Sequence, residues 1–432
     1  MWASDWRQSS YWMDDIQAIS PVNSTFKTTV DVLVIGSGYT GLHAALQISR
    51  GGRDVMVIDK NDPGHGCSTR NGGQISTHVK PSLNSLSKKV GRAKAAAIRQ
   101  EGITALQWIE EFLNQEQIEC DFLRAGRFHA AHSPQKFEEL ARDADLLTKY
   151  ENIPTQVVSK TDQHKELGTE MYHGGVVFPQ HASIHPAKYH QGLLATVLAA
   201  GANVVGYCEG LSIDNVGNGF EVHTNKGKIR CRDLVVATNG YTSSLTPWLR
   251  RRVIPIGSYI IATEPINEAL INKLFPTDRH ISDTCKVVYY YRPSPDRKRV
   301  LFGGRVSARE TNAAFSGPKL FKDMTRIFPE LENTKISHSW CGTVAYTFDE
   351  LAHTGCHNGI YYAMGYCGSG VSMSSYLGMR LGKKVLGLAD GQTAFDDLPF
   401  PTRPLYNGSP WFLPAIVGWY RWQDQKQISK SL

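Results

Sequence analysis

The sequence lacks the patterns that define several large classes of protein. Its eight cysteines stand singly along 432 residues and form no C-x-x-C pair, which predicts neither a zinc site nor a disulfide framework. The longest apolar and aromatic run, residues 411–420, contains a proline and is too short to cross a bilayer. The first residues have no apolar core of the signal-peptide kind. Together these absences predict a cytoplasmic protein with free thiols and no transmembrane segment.

Neither sign of charge is in large excess. The 47 basic and 40 acidic residues give a net charge of +7, and the densest basic run is only Arg250-Arg251-Arg252. A nucleic-acid-binding protein would concentrate its basic residues on one face, so no nucleic-acid partner is predicted. The hydrophobic content of 41% and the charged content of 20% are typical of a globular protein, and the length allows two domains.

The stretch from Val30 to Asp59 has the order of a dinucleotide-binding unit. An apolar, β-branched run predicts a buried parallel strand, and Gly36, Gly38 and Gly41 follow it with G-x-G-x-x-G spacing. These glycines allow a tight turn, a close approach to a pyrophosphate and close packing of the next helix, whose N-terminus faces the anion. A second strand ends at Asp59, whose carboxylate is expected to accept hydrogen bonds from ribose hydroxyls.

Three later stretches also place small residues where a strand or loop reaches a ligand. Residues 64–74 form a loop rich in small residues and backbone donors, which suits a planar, polar ring system. Buried strands are predicted before residues 237–240 and before residues 365–370, and a helix follows the second of these turns. A nicotinamide-dependent dehydrogenase is an alternative, but its nucleotide domain needs neither the loop at 64–74 nor the turn at 365–370.

The chain is therefore predicted to be an α/β protein of two domains. One domain has a parallel, Rossmann-type sheet, and alternating residues beyond Val253 predict a mixed or antiparallel sheet in the other. The expected segments are 1–88, 175–248 and 339–405 for the nucleotide domain, 89–174 and 249–338 for the substrate domain, and 406–432 for an aromatic, helical tail. Packing of the tail on its own domain is favoured over a membrane-surface helix or a contact with a second copy.

Four motifs occur in a fixed order along the chain. They are Val34-Ile35-Gly36-Ser37-Gly38-Tyr39-Thr40-Gly41-Leu42, Arg70-Asn71-Gly72-Gly73-Gln74, Ala237-Thr238-Asn239-Gly240 and Gly365-Tyr366-Cys367-Gly368-Ser369-Gly370. In this order they resemble the D-amino-acid oxidase superfamily, and most closely its gamma-glutamylputrescine oxidoreductase-like branch. The resemblance covers nearly the whole chain and implies a two-domain, glutathione-reductase-like FAD-binding fold with the flavin between the domains.

The resemblance also implies the chemistry. Members of the superfamily remove a hydride from the carbon beside an amine nitrogen and deliver it to flavin N5, and the imine product hydrolyses to a carbonyl. Oxygen or another acceptor then takes the electrons. The expected substrate is a small amine or amino acid, with a gamma-glutamylated polyamine among the candidates, and the sequence leaves the oligomeric state open.

The motifs and the resemblance together assign a set of residues to the FAD site. They are Gly36, Ser37, Gly38, Tyr39, Thr40, Gly41, Asp59, Lys60, Cys67, Ser68, Arg70, Asn71, Gly72, Gly73, Gln74, Gly210, Leu211, Ala237, Thr238, Asn239, Gly240, Trp248, Gly342, Gly365, Tyr366, Gly368, Ser369, Gly370 and Val371. Some relatives anchor the flavin through a cysteine near Cys341. Gly342 occupies the matching position in this chain, so non-covalent FAD is favoured.

The substrate side is assigned less completely. Arg305 follows a strand that approaches the flavin in this family, and its guanidinium is expected to bind a substrate carboxylate bidentately, with an interdomain ion pair as the structural alternative. Tyr259 and Tyr290 are predicted to surround the amine, because aromatic faces stabilise cations. No general base is assigned. The branch has Gly-His-Gly where this chain has Gly368-Ser369-Gly370, a difference near the flavin that leaves both the substrate and the electron acceptor of this chain open.

Two alternatives to a complete amine oxidoreductase remain. One is an FAD-containing subunit of a larger amine or amino-acid dehydrogenase, which predicts flavin without turnover. The other is a flavin domain that modifies a tRNA base, which predicts a basic surface and a fused partner domain.

Overall fold

The computed structural model of the chain describes residues 1–16, 25–304 and 312–429. Arg305, the predicted carboxylate ligand, lies outside these residues.

The described residues form two large sheets, with helices packed on them, and a separate two-stranded sheet. The strands are β1 (Trp2–Arg7), β2 (Thr29–Ile35), β3 (Val55–Ile58), β4 (Gln74–Ile75), β5 (Arg127–Ala130), β6 (Gln156–Val158), β7 (Gly175–Phe178), β8 (Ala182–Ser183), β9 (Asn203–Val205), β10 (Gly210–Val216), β11 (Gly219–Thr224), β12 (Gly227–Val236), β13 (Val253–Thr263), β14 (His280–Asp283), β15 (Tyr290–Pro293), β16 (Val300–Gly304), β17 (Ile336–Thr347), β18 (His353–His357) and β19 (Ile360–Met364). The helices are α1 (Tyr39–Arg50), α2 (Leu83–Val90), α3 (Arg92–Gln115), α4 (Pro134–Glu151), α5 (Pro186–Ala199), α6 (Pro247–Arg250), α7 (Glu268–Leu274), α8 (Ala313–Ile327), α9 (Gly370–Val385) and α10 (Leu413–Ser429).

The first sheet is the predicted Rossmann-type unit. Strands β12, β2, β3 and β9 lie side by side and parallel, and β19 pairs with β12 in the same direction. The residues of β2 and β3 are mostly buried, because α1, α5 and α9 pack on one face of the sheet and a second apolar cluster covers the other. This explains the continuous apolar runs in the sequence. The antiparallel strands β10, β11 and β12 form a meander at one edge.

The second sheet has nine strands in the order β1-β17-β13-β16-β15-β14-β5-β7-β6. Most pairs are antiparallel, whereas β1 pairs with β17 and β14 pairs with β5 in parallel, so the predicted mixed sheet is confirmed. One face packs on α7 and α8 to form a separate apolar core. The other face turns toward the first sheet.

The predicted domain segments need correction at several boundaries. β1 and β7 lie in the second sheet although their segments were assigned to the nucleotide domain, and β17 stays in that sheet through Thr347. Helix α3 was assigned to the substrate domain, but its buried residues, such as Ile98 and Ile109, join the core beneath α1 and α9.

The C-terminal helix packs on the second domain by one face, as predicted. The carboxylate of Asp424 accepts hydrogen bonds from the backbone amides of Lys286 and Val287, at 3.0 Å each. The side chain of Gln427 hydrogen-bonds His132 at 2.7 Å. No helix in the described part of the chain is long and apolar enough to cross a membrane.

Replacing Gly41 with alanine should destabilise the protein. A Cβ atom at this position would lie 1.9 Å from the carbonyl oxygen of Gly36, so the turn between β2 and α1 would have to open. Overpacking of this kind costs about 1–3 kcal/mol or more. Thermal unfolding and flavin content of the purified Gly41→Ala protein measure the effect.

Gly418→Ala is the matched control for that substitution. Gly418 also lies in a helix, but a Cβ there would meet no atom within 4 Å, so alanine should be neutral or slightly stabilising. Equal melting temperatures for the two variants would show that the close approach at Gly41 is unimportant.

Candidate active site

A cleft of about 710 Å³ lies between the two sheets. At one end it meets Ile35, Ile58 and Ala237, at the carboxyl ends of β2 and β3 and just after β12. At the other end it meets residues of the second sheet, including Ser258, Ser282 and Tyr290. Its volume is within the usual range for ligand sites, and its position at the carboxyl ends of parallel strands is where open α/β sheets bind ligands.

The turn between β2 and α1 is built for close backbone contact. Gly36 has φ of +106°, and a Cβ atom there would lie 2.8 Å from the carbonyl oxygen of Ala237. Helix α1 begins after Gly38, which offers no side chain to cap it, and Gly38, Tyr39 and Thr40 line the cleft. The hydroxyl of Ser68 accepts a hydrogen bond from the amide of Tyr39 at 3.1 Å, and the positive end of the helix dipole at this place favours an anionic ligand.

The carboxylate of Asp59 is held at the end of β3. Its Oδ2 accepts hydrogen bonds from the backbone amide and the hydroxyl of Ser37, at 2.9 and 2.7 Å, and its Oδ1 accepts from the amide of Asn61 at 3.1 Å. A carboxylate has about four acceptor positions, so capacity remains for a ligand hydroxyl. Asp59 lines the cleft, which suits the predicted ribose contact.

The loop at 64–74 is fixed from both sides. The indole nitrogen of Trp12 donates to the carbonyl of Asn71, and that of Trp340 donates to the carbonyl of Arg70, each at 2.8 Å. Arg292 donates to the carbonyl of Gly73 at 3.3 Å. Because these donors come from the N-terminal segment and from the second sheet, the loop forms a shared wall between the two domains.

A second helix end reaches the cleft from the turn after β19. Cys367 and Gly368 both have positive φ, at +52° and +103°, and helix α9 follows immediately. The hydroxyl of Ser369 donates to the carbonyl of His78 at 2.7 Å and therefore does not cap its own helix. The N-terminus of α9 thus adds a second partial positive charge to the cleft wall.

The second sheet presents one face to the cleft, and strand alternation determines which residues lie on it. The register aligns Ser282 with both His129 and Tyr290, and Tyr290 with Gly303. The hydroxyl of Tyr290 lies 2.7 Å from that of Ser258. A Cβ atom at Gly303 would lie 2.2 Å from the Tyr290 ring, so the glycine makes room for it.

Tyr259 does not occupy the predicted position beside the substrate. Its side chain is fully buried in the apolar core on the opposite face of the sheet, whereas its neighbour Ser258 faces the cleft. Successive residues of a strand point to opposite faces, so the expectation was wrong by one residue. Tyr290 does line the cleft, and its contact with a substrate stays a prediction.

Arg127 is a cationic residue of the cleft that the sequence analysis did not identify. It lies on β5 and faces the cleft, where its Nε donates to the hydroxyl of Ser282 at 2.7 Å and its Nη2 donates to Nδ1 of His129 at 2.8 Å. Within the described residues it forms no ion pair with a carboxylate, and its Nη1 makes no hydrogen bond. Burial lowers the pKa of Arg127 to about 10, which still leaves it charged at neutral pH.

The histidines around Arg127 are neutral at physiological pH. Burial together with Arg127 holds the pKa of His129 and of His280 well below the ordinary range. Nδ1 of His129 lies 2.8 Å from Nη2 of Arg127, 2.9 Å from the Ser282 hydroxyl and 3.2 Å from the Ser282 carbonyl oxygen. The histidines therefore supply polar contacts without adding positive charge.

Most of the residues predicted for the FAD site line the cleft, and their contact with the cofactor stays a prediction. Seven lie away from it: Ser37, Gly41, Gly73, Leu211, Gly240, Trp248 and Gly365. The four glycines are sites of close packing, where a Cβ atom would come within 2.7 Å of a neighbouring atom. Ser37 lies behind Asp59 and holds it in place.

The other two predicted residues, Leu211 and Trp248, also lie outside the cleft. Leu211 is 57% exposed on an edge strand, and its predecessor Gly210 lines the cleft instead. Trp248 stacks on His357 with ring centroids 3.8 Å apart, and the guanidinium of Arg252 lies 3.7 Å from its ring. Trp248 therefore belongs to an aromatic cluster outside the cleft.

The residues of the cleft fit a bound FAD. Two helix N-termini favour an anionic cofactor, glycines leave space where backbone must approach it, and Asp59 retains acceptor capacity for a ribose. Arg70 lines the same wall, where its only described hydrogen bonds go to the carbonyl of Cys341 and to His65, at 3.2–3.4 Å. A positive charge here would offset negative charge on a reduced flavin.

Comparisons with known proteins agree with this geometry. The model of the DAO family, described as FAD dependent oxidoreductase, matches residues 31–383. The chain is 29% identical to the probable oxidoreductase OrdL of Haemophilus influenzae over 386 residues, which cover 88% of this chain and 87% of that protein. It is also 29% identical to the gamma-glutamylputrescine oxidoreductase of Escherichia coli over 398 residues, which cover 90% of this chain and 92% of that protein.

Solved structures share the fold. Glycine oxidase from Geobacillus kaustophilus superimposes with a TM-score of 0.74 at 18% identity and covers 88% of this chain and 99% of its own. L-proline dehydrogenase from P. horikoshii gives 0.70 at 18% identity, with 90% and 99% covered. The chain belongs to the DAO family of FAD-dependent oxidoreductases, which confirms the predicted family, fold class and cofactor.

Replacing Trp12 or Trp340 with phenylalanine should weaken FAD binding. Either change removes the indole donor and leaves a carbonyl of the 64–74 loop without its partner, at a cost of about 1–3 kcal/mol. Titration of the apoprotein with FAD should show a dissociation constant raised by roughly fivefold to a hundredfold.

Trp6→Phe is the control, because the indole nitrogen of Trp6 is buried and has no hydrogen-bond partner among the described residues. Its FAD affinity should match that of the wild type. Unchanged affinity in all three variants would contradict the role assigned to the two indoles.

Replacing Asp283 with asparagine should flatten the dependence of stability on pH. Burial raises the pKa of Asp283 to about 7, far above that of an unfolded aspartate, so the folded wild type retains a proton that the unfolded chain has lost. Its free energy of unfolding should fall by about 2–4 kcal/mol as the pH rises from about 4 through 7. The asparagine side chain cannot titrate, and chemical unfolding of both proteins at several pH values measures the difference.

Asp54→Asn serves as the control, since Asp54 is exposed and pairs only with the exposed Lys27. This variant should keep the pH dependence of the wild type. Parallel stability curves for wild type and Asp283→Asn would contradict the assignment.

Proposed function

We propose, from its membership of the DAO family, that the chain oxidises the C–N bond of an elongated amine that carries a carboxylate. When bound, FAD supplies the acceptor for the hydride that leaves the carbon beside the amine nitrogen. The imine then takes up water and releases a carbonyl product. The observation that carries the substrate class is Arg127, a charged group that faces the cleft without a carboxylate partner in the described chain.

A carboxylate would complete the surroundings of Arg127. Leaving a guanidinium in a cleft without a counter-ion is costly, and a carboxylate can offset this with charge-assisted hydrogen bonds. The free Nη1 is available for such a bond, and Ser282 and His129 hold the other two nitrogens in place. The neutral histidines around Arg127 do not compete for the anion. Asp283, the carboxylate whose charge acts on Arg127, has its pKa raised by burial to about 7 and makes no hydrogen bond to the guanidinium.

The amine end of the substrate would lie against aromatic rings. Tyr290 and Tyr346 both line the cleft, and a nearby lysine shows how Tyr346 accommodates a cation. The Nζ of Lys80 lies 3.2 Å from the Tyr346 hydroxyl and 4.5 Å from its ring centroid. A substrate ammonium could make similar contacts before it loses its proton.

The rim of the cleft suits a long, doubly charged molecule. Helix α4 contributes Glu139 and Asp143 to the lining, beyond the position of Arg127, and Lys136 pairs with Glu139. A gamma-glutamylated polyamine carries amine and carboxylate groups at separated positions and fits this alternation of charge. The Escherichia coli relative named for such a substrate supports this choice over a simple amino acid.

An anaerobic titration of the FAD-loaded protein tests the proposal. The flavin absorption band is followed while gamma-glutamylputrescine, putrescine, sarcosine, proline and D- and L-amino acids are added in turn. Gamma-glutamylputrescine should bleach the band at the lowest concentration, and putrescine should need more because it lacks a carboxylate. Readmission of air then distinguishes oxygen from another electron acceptor. Bleaching by an amino acid alone would contradict the proposed substrate class.

Replacing Arg127 with glutamine should reduce kcat/KM for gamma-glutamylputrescine by roughly tenfold to a hundredfold, the value of a charge-assisted hydrogen bond. The loss for putrescine should be much smaller, because it has no carboxylate to bind. Steady-state kinetics of both amines with one enzyme preparation measures this difference.

Arg124→Gln is the matched control. Arg124 precedes the same strand but pairs with Glu110 outside the cleft, so both activities should persist. If Arg127→Gln lowered kcat/KM equally for the two amines, Arg127 would have a structural role. The main support for a substrate carboxylate would then be gone.

A further inference from the structure

Helices α8 and α10 carry exposed aromatic and basic residues on one side of the second domain. We name this surface the aromatic–basic face and define it by one set of residues. They are Phe315, Lys319, Lys322 and Arg326 of α8 and Trp419, Trp422 and Lys426 of α10.

The residues of α8 follow helical spacing. They recur at intervals of four, three and four, so they form a single stripe, and Leu320, Met324 and Ile327 lie buried on the other side. Phe315 is 57% exposed, and the Nζ of Lys319 lies 3.8 Å from its ring centroid. The stripe therefore combines an exposed ring with a row of cations.

Helix α10 has an inner and an outer face. The inner face packs on the second domain through Asp424 and Gln427. On the outer face Trp419 and Trp422 are 55% and 50% exposed and stack on each other with ring centroids 5.0 Å apart. The Nζ of Lys426 lies 5.1 Å from the Trp422 ring. Anchoring of the inner face holds the two indoles toward solvent.

The two helices border a common pocket of about 360 Å³. Lys319, Lys322 and Arg326 line it from α8, and Arg421, next to Trp422 in the sequence, lines it from α10. The pocket is therefore bordered by three residues of the α8 stripe and, through Arg421, by α10.

The charge of this pocket is positive. Four basic residues line it against two acidic ones. Asp424 is buried and accepts two backbone hydrogen bonds, and Asp323 lies 3.8 Å from Arg326. The exposed charge of the face thus comes mainly from its cations.

This combination of groups indicates the chemistry of a partner. Exposed indoles gain free energy when they enter the boundary between lipid headgroups and acyl chains, and lysine and arginine beside them are attracted to anionic headgroups. A symmetric contact with a second copy would bring the same cations together, and their repulsion disfavours it. We propose that the aromatic–basic face docks the protein on the surface of an anionic membrane.

Co-sedimentation of the FAD-loaded protein with vesicles tests this docking. The protein should pellet with vesicles of equal parts phosphatidylglycerol and phosphatidylcholine, and far less with phosphatidylcholine alone. Added salt should release it, because headgroup attraction is screened. Failure to pellet with the anionic vesicles, or equal binding to both kinds without salt dependence, would overturn the proposal.

Two variants separate the contributions of the rings and the charges. Trp419→Ala/Trp422→Ala and Lys319→Glu/Lys322→Glu should each weaken binding to the anionic vesicles by roughly tenfold or more. The control Lys88→Glu/Lys89→Glu reverses two exposed charges on α2, away from this face, and should bind nearly as well as the wild type. Equal loss in the control would show that only total charge matters and would overturn the assignment.

The same variants distinguish other partners. Analytical ultracentrifugation without lipid reveals a second copy if the tryptophan variant changes a dimer into a monomer. Polyglutamate serves as a probe for an acidic polypeptide. The membrane proposal would be overturned if the tryptophan variant lost a dimer while its vesicle binding stayed unchanged. It would also be overturned if the protein bound polyglutamate as tightly as it binds the vesicles.

Discussion

The structure depends on how the loop at 64–74 is held. Two indole N–H groups, from Trp12 and Trp340, donate to successive backbone carbonyls of this loop, and Arg292 adds a contact to a third. A loop whose polar backbone faces a cleft would otherwise be mobile, since few apolar contacts restrain it. These donors come from outside the Rossmann-type unit and add to the hydrogen bonds that Tyr39 and Ser37 of that unit make to Ser68 and Gly64, so both sheets hold the loop in place. Cofactor binding and the association of the two sheets are thereby linked.

The chemistry of the cleft follows from the electrostatics of its two ends. The nucleotide end offers helix N-termini and an aspartate that its hydrogen bonds to Ser37 keep in place. The opposite end offers Arg127, which hydrogen-bonds Ser282 and the neutral His129 and forms no ion pair with a carboxylate of the described residues. The cofactor, an anionic dinucleotide, would bind at the first end of the cleft, and a substrate carboxylate would bind at the second. This is the physical basis for the proposed substrate class.

The nucleotide half could be predicted from the sequence because its requirements are local. A strand, a glycine-rich turn, a helix and a terminal acid follow one another within one segment, and close packing at Gly41 permits no side chain. The substrate half depends on contacts between distant strands. The position of Arg127 could not be predicted, because it depends on the pairing of β5 with β14. This pairing places the guanidinium beside Ser282, 155 positions along the chain. Tyr259 shows the limit of a strand prediction without a register, since one step along the strand moves a side chain from the cleft to the core.

We propose that one cleft holds FAD at the Rossmann-type sheet and a substrate carboxylate at Arg127. A crystal structure of the FAD-loaded protein with N-butylglutamine would test it most directly, because this ligand keeps the carboxylate of gamma-glutamylputrescine and lacks the amine that is oxidised. We expect the carboxylate to form a hydrogen bond with Arg127 and the butyl chain to run toward Tyr290 and Gly342. A carboxylate bound to Arg70, or a ligand outside the cleft, would contradict it.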